Sequence, residues 1–148
     1  MQWTCKSFDE LSARELYAIV RLRNEVFVVE QQCVFQDADN KDQLSYHLMC
    51  WQNDELVAYT RLLPKGLSYE EASIGRVATA KAVRNTGLGK KLMIASIKQL
   101  YILFGVCPVK IGAQLYLREF YESFGFSQSS DVYLEDGIQH IEMILRIA

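Results

Sequence analysis

A chain of 148 residues, half of them hydrophobic and 23% charged, is long enough to bury a core of its own and too apolar to stay unfolded. A formal net charge of −2 and a pI near 5.7 exclude nucleic acid as a general partner. Four scattered cysteines, Cys5, Cys33, Cys50 and Cys107, show neither zinc-ligand nor disulfide spacing, so they read as free thiols of a reducing cytoplasm, and no metal is expected.

Met1 to Ser7 reads as a short strand. Ser12-Ala-Arg-Glu15 is a capping box, and Leu16, Ile19, Val20, Arg23 and Phe27 follow at helical spacing, so a helix is expected from about Ala13 to about Val29. Arg23 in that stripe either snorkels to solvent or points into a substrate groove. Glu30 to Leu44 is polar and aperiodic and reads as a solvated acidic loop. A calcium site there fails for want of the required glycine and because Lys41 takes a ligand position. Tyr46 to Gln52 and Glu55 to Leu63 are strand-like runs around the two-residue turn Asn53-Asp54, with His47 at the start of the first and Arg61 near the end of the second. A third strand begins at Ser73. After a glycine-containing loop, a helix is expected from about Gly87 to the residue before Gly105. Val109 to Gln114 reads as a strand, Leu117 to Phe124 as a short helix, and Val132 to Leu134 and Ile138 to Ile147 as strands around Asp136-Gly137. One α/β (α+β) domain over residues 1–148, with a mixed, mostly antiparallel central sheet flanked by helices, accounts for these elements. No apolar run reaches the length of a membrane span and no signal-like core is visible, so a cytoplasmic protein without a membrane partner is expected.

The stretch from Ser73 to Phe104 carries the chemistry. A strand containing Gly75-Arg76-Val77 leads into Arg84-Asn85-Thr86-Gly87-Leu88-Gly89-Lys90 and then into the long helix. The first amides of a helix lack intrahelical partners and sit at the positive end of its dipole, so a phosphate is the natural guest. A nucleoside-triphosphate loop is excluded because Arg84 stands where its first glycine belongs and Lys91 where its hydroxyl belongs. A dinucleotide loop is excluded because Leu92 stands in place of its third glycine. Charge agrees with a polyanionic guest: Ala72 to Leu117 holds seven basic residues and no acidic one, while all eighteen acidic residues lie in the rest of the chain.

The spacing Arg-x-x-Gly-x-Gly after a Gly-Arg-Val strand, together with Phe120-Tyr121-Glu122-Ser123-Phe124-Gly125-Phe126, resembles the GNAT superfamily of N-acetyltransferases. Val26-Phe-Val-Val-Glu30-Gln31, Asp37-x-Asp39, Tyr46-His47-Leu48 and Glu135-Asp136-Gly137-Ile138-x-His140 make it look most like the ElaA-type branch, with Phe35 as a departure where tyrosine is expected. The resemblance implies acetyl-CoA as cosubstrate, held by Val77, Ala78 and Thr79 and by Arg84, Asn85, Thr86, Gly87, Leu88, Gly89 and Lys90. It implies that Tyr121 protonates the leaving thiolate and that a backbone N–H on the Val77 strand stabilises the developing oxyanion. Glu30 and His47 are the candidates for the base that frees the amine. Arg23, Phe27, Arg61, Arg76 and Gln114 are the candidates for the acceptor groove. The implied reaction moves an acetyl group to a primary amine of a small molecule or peptide by direct attack on the thioester. A non-catalytic acyl-CoA-binding or regulatory module is the alternative, and a homodimer is left open.

Overall fold

In the computed structural model, which describes residues 1–146, the chain forms two antiparallel sheets that part from one another along one seam. The first sheet has the order β1 (Gln2–Ser7), β2 (Tyr46–Gln52), β3 (Glu55–Leu63) and β4 (Ser73–Thr79). Asn53 and Asp54, at φ 51° and 63°, supply the left-handed pair that a two-residue hairpin between β2 and β3 requires. The second sheet pairs β5 (Val109–Gln114) with β8 (Ile138–Leu145), which also carries the short strands β6 (Ser127–Gln128) and β7 (Tyr133–Glu135). Asp136 and Gly137, both at positive φ, turn β7 into β8. The C-terminal strand expected to reach Ile147 ends at Leu145, and Ile147 lies outside the described residues.

Helices cover both faces of the first sheet. Helix α1 (Ala13–Arg23) starts on its capping box: Ser12 Oγ accepts from the Glu15 amide at 3.1 Å, and Glu15 Oε1 accepts from the Ser12 amide at 2.8 Å. Its apolar stripe, Ile19 and Leu22, packs with Val26 on Met49, Leu56, Tyr59 and Ala78. The expected helix to Val29 is continuous but changes character, with Asn24–Glu30 wound as a π-helix. Such wider turns often mark functional sites, and this one carries Phe27 and Glu30 to the seam between the sheets. On the opposite face, α2 (Leu88–Phe104) lays Leu88 and Leu92 on Leu48, Cys50, Val57 and Ala58. Its buried Ser96 hydroxyl donates to Leu92 O and accepts from Thr60, which satisfies both hydroxyls inside the core. Farther along, Met93 and Leu100 join Ile111, Ala113, Ile141 and Met143 with Tyr121 of α3 (Arg118–Glu122) and Phe126 in the core of the second sheet.

The sheets meet where β4 and β5 run parallel. Ala72 bridges Val109 and accepts from the Lys110 amide at 2.9 Å. Beyond that point no ladder joins the two strands among the described residues, so the continuous sheet expected from the sequence is parted. The register of β4 against β3 also slips. Gly75 faces Arg61 and Ala78 faces Tyr59, so Arg76 and Val77 together span the place of Thr60, with Arg76 at φ 50°. A bulge of this kind bends the strand that carries it and leaves a residue without a ladder partner.

Candidate active site

The parting of β4 and β5 opens a cleft of about 980 Å³. Gly75, Arg76, Val77 and Thr79 line it from β4, and Ile111, Gly112 and Gln114 from β5. One end leads to the loop before α2. Gly87 caps that helix at φ 83° without a side-chain cap, and the first intrahelical bond, from the Lys91 amide to Gly87 O, spans 3.2 Å. The amides of Leu88, Gly89 and Lys90 therefore have no partners inside the helix. A Cβ at Gly87 would meet no protein atom within 4 Å, and one at Gly89 only the edge of Phe120 at 3.9 Å. The cradle is thus open on its ligand side. Asn85, Thr86 and Lys90 are exposed around it, while the side chains of Leu88 and Ala78 turn into the core, leaving only their backbone to any ligand.

Arg84 and Glu30 were expected in different roles, and the fold joins them. The guanidinium grips the Glu30 carboxylate through two bonds of 2.7 and 2.8 Å and also donates to Thr79 O at 2.9 Å. That hydrogen bonding holds the Glu30 carboxyl below its usual range, which weakens it as a base. Glu30 is therefore the counter-ion of Arg84 in the loop before α2 rather than a free carboxylate in the cleft.

Tyr121 serves both core and cleft. Its ring stacks edge-on against Phe120 at 5.2 Å and Phe126 at 6.2 Å, yet the residue lines the cleft. Burial pushes its pKa up to about 12, so the phenol keeps its proton at neutral pH. Across the cleft, Phe27 enters from the π-helix and Gln114 from β5, whose Nε2 donates to Gln31 Oε1 at 3.3 Å.

The other end of the cleft departs most from expectation. The segment expected to be a solvated acidic loop is pinned by three arginines. Arg23 reaches Asp37 at 2.8 Å and Asp42 at 2.7 Å, and Arg61 reaches Asp39 at 2.7 Å and Asp42 at 2.8 Å. Arg76 lies 2.7 Å from Asp37 and 3.3 Å from Asp39. The Arg76 Nε contact with Asp37 is close but poorly aligned, and Arg61 Nε has no partner among the described residues. Burial works to raise the Asp39 carboxyl, but hydrogen bonds from Arg61 overcome it and the net displacement is downward. Arg23 neither snorkels nor faces substrate. It is 1% exposed and wholly committed to this knot, and Arg61 at 3% is nearly so. Arg61 still lines the cleft, and Arg76, partly exposed at the bulge, is the more available of the two to a ligand.

His47 is likewise corrected. It is fully buried, its Nε2–H donates to Asp42 O at 2.9 Å and its Nδ1 accepts from the Tyr59 hydroxyl at 2.6 Å. Burial lowers its pKa, and both nitrogens are spent on the core. Sequence reasoning missed the groups that do face this end: Tyr69, Tyr133 and His140. A Cβ at Gly112 would stand 2.9 Å from the Tyr69 hydroxyl and 3.2 Å from that of Tyr133. His140 was visible only as part of a motif, yet strand alternation in β8 places it opposite Gln114.

The split between parallel strands, the bulge beside it, the glycine-capped helix and the buried tyrosine belong to a fold shared with solved acyl-CoA N-acyltransferases. Residues 11–147 match the acetyltransferase (GNAT) domain family, and the chain belongs to that family. Within it, the chain is similar to protein ElaA of Escherichia coli (strain K12), with 43% identity over 145 residues covering 97% of this chain and 95% of ElaA. The crystal structure of Escherichia coli ElaA superposes with a TM-score of 0.91 at 42% identity over 97% of each chain. An acyl-CoA N-acyltransferase from Pseudomonas aeruginosa gives 0.92 at 42% identity, over 97% of this chain and 99% of that one. An aminoglycoside 6'-N-acetyltransferase complexed with coenzyme A shares the fold, with a TM-score of 0.69 at 15% identity over 95% of each chain. Among the described residues, no group of side chains is arranged to hold a metal and no helix is long and apolar enough to cross a membrane.

Proposed function

We propose that this domain, residues 1–148, transfers an acetyl group from acetyl-CoA to a primary amine of a small molecule or peptide in the cytoplasm. The observation that carries the proposal is that Arg84, in the loop leading to the open helix start at Gly87, and Tyr121 line one continuous cleft along the parted edges of β4 and β5. The pyrophosphate fits the free amides of Leu88, Gly89 and Lys90, with the exposed Asn85, Thr86 and Arg84 beside it. The unpaired edge of β4 from Val77 to Thr79 offers backbone groups to the arm of the cofactor, which supplies an activated thioester when bound. At the Arg76–Val77 bulge, an amide freed from the ladder can donate to the oxygen on which charge develops. Tyr121 holds the proton that the departing sulfur needs. Phe27, Arg76 and Gln114 shape the acceptor side.

The test has two arms. Acetyl-CoA should raise the melting temperature, and amine-dependent thiol release should appear in a screen of polyamines, aminoglycosides, amino acids and peptides. A thermal shift with no thiol release across that screen would favour a non-catalytic acyl-CoA-binding module, and no shift at all would refute the cofactor.

A further inference from the structure

With Glu30 tied to Arg84 and His47 sealed in the core, the acceptor side lacks a base among the residues first considered. The chain has two histidines, and the other one lines the cleft. His140 sits on β8 directly opposite Gln114 of β5 and Tyr133 of β7. Cross-strand partners share a face of the sheet, so His140, Gln114 and Gly112 all look to one side. Ile111, Ala113, Ile141 and Met143 look to the other, into the core that holds Tyr121. The imidazole and the phenol therefore approach the cleft from opposite faces of the second sheet. Direct attack needs that separation, because the amine loses its proton on one side while sulfur gains one on the other.

The ring is fixed in the form a base requires. Its Nδ1 lies 2.8 Å from Ile138 O, a carbonyl that can only accept, so Nδ1 carries the hydrogen and Nε2 the lone pair. Tyr133 stacks on the ring at 5.9 Å and holds its plane. Glu135 Oε2 stands 3.5 Å from Nε2, a counter-charge for a proton arriving there. The carboxylate is exposed enough to move, and Cys33 ties the neighbouring turn down by donating to Asp136 O at 3.3 Å.

We propose that His140 is the general base of the transfer, with Glu135 as its positioning residue; this rests on the acetyl-transfer reading above. Nε2 removes a proton from the acceptor ammonium, and the freed nitrogen lone pair forms the N–C bond as the C–S bond breaks. Tyr121 gives its proton to the sulfur and recovers one from the new amide nitrogen, while the imidazolium passes its proton to solvent. One amide, one thiol and one proton result.

The test uses His140→Asn, whose amide keeps an N–H toward Ile138 O and removes Nε2. Long-range proton–nitrogen NMR of the wild type without ligand should show His140 as the Nδ1–H tautomer and His47 as the Nε2–H tautomer. An Nε2–H tautomer at His140 would overturn the proposal without any turnover measurement. For activity, n-butylamine and spermidine serve as amine probes at saturating acetyl-CoA. We expect His140→Asn to lose roughly 10² to 10⁴-fold in kcat, together with the acidic limb of the wild-type pH profile, while the acetyl-CoA thermal shift stays unchanged. Glu135→Gln should lose less and keep the limb. Other ionisable groups line the cleft, namely Glu30, Cys33, Asp39, Lys41, Arg61, Tyr69, Arg76, Arg84, Tyr116, Tyr121, Glu135 and Asp136, and Lys110, Tyr133 and Glu142 share the sheet face of His140, so the limb is assigned only by its loss in the asparagine variant. Wild-type kcat with the limb intact in His140→Asn overturns the base while leaving acetyl transfer standing. Absence of amine-dependent thiol release from the wild type itself overturns acetyl transfer to such amines, and the base role with it.

Discussion

The two ends of the cleft are built differently. The end toward Gly87 comes from one unbroken stretch, Ser73 to Phe104, in which strand, loop and helix follow one another and a glycine at φ 83° sets the turn. The opposite end is assembled from five segments: the knotted loop around Asp37 to Asp42, Arg61 on β3, Arg76 on β4, Gly112 to Gln114 on β5, and the β7–β8 hairpin with His140. Local geometry leaves its mark in consecutive residues. Tertiary pairing leaves almost none, because any of the acidic side chains could have met solvent instead of an arginine.

The largest expected effect sits between the two ends. Tyr121→Phe keeps the ring that packs on Phe120 and Phe126, so acetyl-CoA binding should survive while turnover falls on the order of 10² to 10⁴-fold. Steady-state kinetics beside a thermal shift checks this, and wild-type turnover would reduce Tyr121 to a core aromatic.

Next comes the knot. Asp42→Ala strips the shared carboxylate from Arg23 and Arg61, whose side chains are 2% and 4% exposed. Each arginine keeps one carboxylate, Arg23 that of Asp37 and Arg61 that of Asp39, so the loss should be about 1 to 3 kcal/mol, the cost of leaving buried donors unsatisfied. Urea titration should show that loss, and a change within about 0.5 kcal/mol would mean the loop is as solvated as its composition suggests. The end toward Gly87 should respond in the opposite sense, through the ligand and not the fold. Gly89 lies inside the first helical turn with room beside it, so Gly89→Val should fold. It should also forfeit the roughly 2.7 kcal/mol of stabilisation expected at a hundredfold excess of acetyl-CoA over its dissociation constant. Retention of the full thermal shift would refute close approach there.

A smaller effect follows from pH. The folded state depresses the pKa of His47, so the ring stays neutral in the fold while the unfolded chain takes up a proton below about pH 6.5. Its contribution is complete above that value and declines as pH falls. Asp39 and Asp42 are depressed too, so their contributions hold above about pH 3.9 and disappear as pH drops toward their folded values. Melting temperature against pH should therefore fall in two stages, and His47→Gln should flatten the first. A single late transition in both proteins would contradict the assignment.

Much of the frame was legible in the sequence. The capping box at Ser12, the Asn53-Asp54 hairpin, the span of α2 to Gly105 and the Asp136-Gly137 turn all act within a few residues, and each stands where its local chemistry points. The bulge at Arg76 was invisible because an arginine gives no sign of a left-handed backbone. The parted sheet was invisible because β4 and β5 read as ordinary apolar strands. The histidines show the limit most sharply. His47 and His140 each begin or end near a polar turn, but only the pairing of β2 with β3 reveals that His47 faces Tyr59 and the α1 core, and only the pairing of β5 with β8 that His140 faces the cleft.

If acetyl-CoA lies along the seam between the sheets, as proposed, amide hydrogen exchange with and without it is the most direct test. Exchange should slow at Val77 to Thr79 and at Leu88 to Lys90, whose amides face the seam or lack helical partners, and stay unchanged along Ala13 to Arg23 on the far face of the first sheet. Protection confined to α1, or none at the helix start and the β4 edge despite saturation, would contradict it.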